Sequence, residues 1–189
     1  MKSCFIIVSL AFSWLLAGTV GGDDFKTQRV RCTGSGTFVD GVDTHIDANN
    51  DGTPASLNQG LQNCNSGRFF FQFEDEYVGP FAPTTCPPGT LEFNLVQAHT
   101  VLTDQKTSDQ LFSEDAAGGV TFCQHPDGTF SFTEHGTFNG GTGQFTGARG
   151  TFDSQGTGKY LISGFKDTVF AGFAQFTFTQ SWTLILPNH

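Results

Sequence analysis

From residue 65 onward the chain alternates. Phe69, Phe71 and Phe73 fall on one side of an extended backbone, as do Leu91, Phe93 and Leu95, and then Phe130 and Phe132. Near the C-terminus Ala174, Phe176, Phe178, Trp182, Leu184 and Leu186 alternate with Gln175, Thr177, Thr179, Ser181 and Thr183. A period of two means strands with one packed face and one face of small hydroxyls that tolerate water. Antiparallel sheets are the kind that leave a face wet. The residues that fill the two phases, 22 Phe and 24 Thr, favour pleated backbone. Leu is sparse after residue 16 and there is 1 Met, which excludes a helical bundle. An aromatic content of 14% is too high for a disordered chain. The formal net charge of −9 argues against a nucleic-acid partner.

Turn chemistry divides the strands. Pro126-Asp127-Gly128, Asn139 to Gly143, and Ser154-Gln155-Gly156-Thr157-Gly158 read as hairpin turns. The stretch 104–117 alone could hold a helical turn, although Asp109 to Ser113 fits a strand as well. Gly-Thr-Phe recurs at residues 36, 128, 136 and 150, at unequal spacings that suit hairpins and not a solenoid. About eight strands fit a closed up-and-down barrel or a sandwich. The barrel is preferred, because the hairpins are consecutive and glycines inside strands allow sharp bends. The expected fold class is therefore all-β, a closed antiparallel eight-stranded barrel.

Residues 1–22 read as a secretory signal peptide. Lys2 gives the positive start, Phe5 to Ala17 an apolar run of 13 residues, and Val20-Gly21-Gly22 a cleavage site before Asp23. Residues 23–189 are then a single barrel domain, exported and extracellular, with no membrane contact after cleavage. Loss of Lys2 from a chain of charge −9 leaves −10. Cys4 leaves with the signal, so Cys32, Cys64, Cys86 and Cys123 remain, an even number that predicts two disulfides. Spacing does not choose among the three connectivities; nearness in sequence favours Cys64 with Cys86, and hence Cys32 with Cys123. No Cys-x-x-Cys or zinc-spaced His occurs.

The segment Asn139 to Phe152, NGGTGQFTGARGTF, resembles the central hairpin of the allene oxide cyclase and dirigent barrel superfamily. Asp47 to Ala55, Asp109 to Phe112 and Gly140 to Phe145 together are similar to a group of secreted bacterial proteins of that barrel type. The resemblance implies an eight-stranded antiparallel barrel, and it suggests a homo-oligomer, since dirigent-type barrels often form trimers. It carries over no catalytic residue, because no position outside the hairpin matches those of the cyclases or dirigents.

Three constellations could carry chemistry. Asp47, Asn49 and Asp51, followed by Gly52 and Thr53, have the ligand spacing of the first half of a calcium loop, with Asp40 or Asp43 as further ligands. The twelfth position is Asn58 and not Glu, and no helix flanks the loop, so this is no EF-hand. A solvated loop of Asx turns is the preferred reading and calcium the alternative. Second, strand parity sends Gln97 and His99 to the side of Leu91, Phe93 and Leu95, Glu134 to that of Phe130, Gln180 to that of Trp182, and Arg149 to that of Phe145. Such a set could bind a ligand, with Glu134 as acid or base and His99 as its partner. A β-bulge that flips the phase, or a place at a barrel rim, is the plainer account and is preferred. Third, Glu74-Asp75-Glu76-Tyr77 reads as a solvated strand end, the alternative being two carboxylates at i and i+2 on one face for glycoside or metal chemistry.

No nucleophile elbow, phosphate loop or dinucleotide fingerprint occurs in the chain. The leading expectation is a non-catalytic secreted barrel, a binding or structural module and not an enzyme. The alternative is a cyclase-like or dirigent-like protein that binds a hydrophobic small molecule inside the barrel.

Overall fold

A computed structural model describes residues 25–43, 55–166 and 169–188. Residues 1–22, expected as a signal peptide, and the stretch from Asp47 to Thr53 lie outside these residues. The described chain is all-β. Its strands are β1 (Phe25–Asp43), β2 (Ala55–Cys64), β3 (Gly67–Phe81), β4 (Leu91–Asp104), β5 (Gln110–Asp115), β6 (Val120–Gln124), β7 (Thr129–Gly141), β8 (Arg149–Lys166) and β9 (Val169–Pro187). A single turn of 3-10 helix, Gly143–Phe145, separates β7 from β8. No described helix is long and apolar enough to cross a membrane.

All pairings are antiparallel, in one nine-stranded sheet of order β3-β2-β1-β9-β8-β7-β5-β4-β6. β3 also pairs with β4, and β6 with β7, so the pairings run round in a ring. β5 and β6 share one place in it. β5 lies against His99 to Thr103 of β4 and Thr137 to Gly141 of β7, and β6 against Leu91 to Asn94 and Phe130 to Glu134. They are one strand broken by the turn at residues 116–119. The stretch 104–117 thus holds a turn and a strand, with no helix.

The enclosed face follows from an unusual pairing rule. Gly34 and Gly36 on β1 lie opposite Phe178 and Phe176 of β9. Gly60 faces Phe71, Gly136 faces Phe152, and Gly156 and Gly158 face Phe132 and Phe130. A phenyl ring laid over a bare glycine covers backbone that would otherwise be unpacked. Ser154 to Gly158 is therefore no turn. It is the middle of β8, and its glycines are slots for rings. The rings then meet one another: Phe122 stacks on Phe130 at 4.8 Å, while Phe69 and Phe138 pack on Trp182 at 5.5 and 5.3 Å. Offset and edge contacts of this kind add to the free energy of burying the rings.

Two disulfides are present, and their connectivity is not the one that nearness suggests. Cys32 bonds Cys64, its register partner across β1 and β2. Cys86 bonds Cys123, tying the segment between β3 and β4 to β6. Cys64 and Cys86 are close in sequence, but the hairpin from β2 into β3 carries the chain away from Cys64.

Candidate functional site

Three inward polar residues lie side by side in one register row. Gln180 of β9 is opposite Ser154 of β8, which is opposite Glu134 of β7. With Gln62 from β2, Thr100 from β4 and Ser113 from β5 they form a polar belt around a cavity of about 40 Å³, whose remaining walls are mostly phenyl rings. The Trp182 indole donates to the Gln180 carbonyl oxygen at 2.7 Å, which fixes that amide. Gln62 is only 1% exposed, and its amide nitrogen has no hydrogen-bond partner. A buried donor without an acceptor is costly, and a space of this size can supply water to satisfy it.

Glu134 joins the belt to a group of carboxyls nearer the end of the sheet where β1 finishes. It hydrogen-bonds Asp115 of β5, which is 3% exposed. Asp75 of β3 accepts from the Asn58 amide at 3.1 Å and is bonded to Tyr77. Asp40 of β1 accepts from the Ser56 hydroxyl at 2.7 Å and from the Tyr160 hydroxyl at 3.1 Å. Burial is the main influence on all four and raises their pKa values. Asp40 is pushed up to about 6 and Asp115 to about 9, the latter also by the charge of Glu134. Asp75 is raised well above the carboxylate range by burial and then by the charge of Asp40, and Glu134 is raised by burial. Burial and neighbouring acids also push the Tyr77 and Tyr160 phenols up. No basic side chain figures among the charges that act on Asp75, Asp115 or Glu134. At neutral pH Asp115 and Glu134, hydrogen-bonded to each other, share a proton, whereas Asp40, at about 6, is largely ionised and accepts from its hydroxyl partners.

The structure brings together some of the residues singled out in the sequence and separates others. Glu134 and Gln180 line the cavity. His99 does not: it is exposed on the outer face, opposite Glu74 and Glu114. A bulge in β4 is the cause. Glu76 pairs with Gln97 but Tyr77 with Leu95, so the phase flips between them, and Thr100 and Leu102 point inward in place of His99. Gln97 is half-buried at the bulge, away from the cavity. Arg149 is exposed at the other end of β8, its guanidinium 4.2 Å from the centre of the Phe25 ring. Phe145 lies in the 3-10 turn, so its phase does not carry into β8.

Asp47, Asn49, Asp51 and Thr53 lie outside the described residues, as does the Asp43 side chain. Asp40, expected as a further calcium ligand, is turned inward to Ser56 and Tyr160. Among the described residues no group of three or more His, Cys, Asp or Glu is arranged to hold a metal ion.

Glu74 to Tyr77 is not a solvated strand end. It is the middle of β3, and Asp75 and Glu76 are buried. Asp40, Asp75 and Asp115 escape a reading that treats charge as exposure, yet their phases were there to follow. Asp75 continues Phe69-Phe71-Phe73, Asp115 continues Leu111-Ser113, and Asp40 follows Phe38 by two. Compared with known proteins, the chain matches no family model and no curated sequence.

Proposed function

We propose that the protein is an exported, closed eight-stranded barrel of the allene oxide cyclase and dirigent type that works as a non-catalytic binding or structural module through its outer surface. One observation carries this reading. The cavity that the described residues line between Gln62, Ser113, Glu134 and Gln180 is about 40 Å³. That is room for a few water molecules, against the ~300–1,000 Å³ of a pocket for an organic ligand. The return of the pairings from β3 to β4 supports closure. The two disulfides support an oxidising, extracellular setting. Native mass spectrometry of protein exported by its host, without chelator, tests the proposal. The expected result is an apo mass four hydrogens light; a retained lipid-like or terpene-like mass overturns it.

That second outcome belongs to the other reading, a hydrophobic small molecule held inside the barrel. Its support is the placement of Glu134 and Gln180 against phenyl walls. Calcium is tested separately. If Asp47 and Asp51 bind it, replacing both by Ala lowers the melting temperature in calcium and has no effect in chelator.

A further inference from the structure

The carboxyls of Asp40, Asp75, Asp115 and Glu134 come from β1, β3, β5 and β7, strands that lie at different places around the ring. Each reaches the enclosed face, where Asp75 feels the charges of Asp40 and Glu134, and Asp115 those of Glu134 and Asp75. Among the described residues, the other ionisable groups that interact with these carboxyls are Tyr77 of β3 and Tyr160 of β8, both acids; Glu114, next to Asp115, is exposed on the outer face of β5. His99 of β4 is also turned outward. Gly136 is part of the same construction, because a side chain there would occupy the space of Asp115 Oδ1 and of the Phe152 ring. Asp115 Oδ1 itself has no hydrogen-bond partner in this setting. Asp75 and Asp115 are buried, each with two or more like-charged neighbours and no opposite charge among the described groups that act on them. Only protonation makes the arrangement stable.

We propose that these four carboxyls form a proton-held latch. While protons are shared across it, β1, β3, β5 and β7 stay drawn together at this end of the ring; when the protons leave, mutual repulsion loosens it. The sign follows from linkage. A carboxyl whose pKa is raised by folding contributes its full stability below the unfolded value, near 4, and loses it as pH rises through the folded value. At Asp40 that value is about 6 and at Asp115 about 9, so the loss runs from mildly acid to alkaline pH. The latch is therefore closed in acid and opens in base, the reverse of proteins held by salt-bridged carboxylates. At the opposite end, where Phe69 and Phe138 pack on Trp182, the buried Asp104 carboxylate accepts from the Lys106 and Thr107 N–H groups and the Gln144 amide, and that end stays shut.

The test is thermal unfolding of the disulfide-intact protein at pH 5, 7 and 9, with amide hydrogen exchange at each pH. The expected result is a melting temperature at least about 5 °C lower at pH 9 than at pH 5. Exchange should accelerate first around Asp75, Asp115 and Glu134, with the amides around Trp182 still protected. Asp75→Asn, Asp115→Asn and Glu134→Gln should each shrink the fall, because a neutral amide keeps hydrogen bonds and carries no charge. Asp153→Asn, on the outer face, should leave it unchanged. A melting temperature that is flat or rises toward pH 9 overturns the proposal, as does a fall of the same size in all three inner variants. Should those variants fail to fold, the wild-type profile and the place where exchange begins decide the question alone.

Discussion

At the scale of the residue, the molecule is built on the contrast between its largest common side chain and none at all. A glycine directly opposite a phenylalanine lets the ring lie flat on the neighbouring strand, and the rings then fill the enclosed face. At Gly158 a Cβ would fall within the Phe130 ring and against the Gln175 carbonyl oxygen. Gly158→Ala is expected to cost about 1–3 kcal/mol in urea unfolding, the usual penalty of overpacking. Gly164→Ala is the control. Nothing lies within 4 Å of a Cβ there, so it should be neutral or gain up to ~1 kcal/mol by restricting the unfolded chain. The alternation that reveals the Phe phases is legible in the sequence, but the role of the glycines is not. Gly156 and Gly158 look the same as turn residues until the partner strand is known. The inward acids are a different case. Composition argues that an acid is solvated, and parity argues that Asp75 is buried; parity proved the better guide, because no bulge intervenes between Phe69 and Asp75. For His99 a bulge does intervene, and it depends on contacts with β3 that no local pattern records.

At the scale of the element, the segment between β3 and β4 is held by electrostatics and a covalent tie together. The Glu92 carboxylate accepts from the backbone N–H groups of Thr84, Thr85 and Cys86 at 2.7, 2.9 and 3.3 Å, and from the Thr84 hydroxyl at 3.0 Å. Those hydrogen bonds pull its pKa down to about 2. Glu92→Gln should raise amide exchange at residues 84–86 and protease cleavage in this segment, and leave the pH 5 to pH 9 profile unchanged. In strong acid the wild-type segment should loosen only as pH falls through about 2, since a depressed carboxyl loses its contribution on protonation. The Cys32–Cys64 bond acts on the ring itself. Replacing both cysteines by Ala should cost about 2–4 kcal/mol, seen as a lower denaturant midpoint. That these four cysteines form two bonds is legible from their even number after Cys4 is set aside with the expected signal peptide. Which pairs form is set by lateral register: Cys32 and Cys64 are partners across β1 and β2, a relation that sequence distance does not contain.

At the scale of the whole molecule, most strands join neighbours in sequence, but β1 and β9 close the order from opposite ends of the chain. Val39 lies opposite Phe173 and Phe25 opposite Pro187. Such a pairing forms only after a loop of nearly the whole chain has closed, which places folding among the slow, nonlocal topologies. Stopped-flow refolding with the disulfides intact should take milliseconds to seconds, and Val30→Ala at the β1–β9 seam should mainly speed unfolding. The same seam has a consequence for how the chain can be cut and rejoined. With residues 25 and 187 side by side, a short flexible linker could connect them, and the turn at residues 116–119 already interrupts a strand. Gly118 has nothing within 4 Å of where a side chain would sit. A circularly permuted chain that starts at Gly118 and ends at Ala117 would keep every strand, both disulfides and every register, and its first and last strands would be ones that the native order places in the middle.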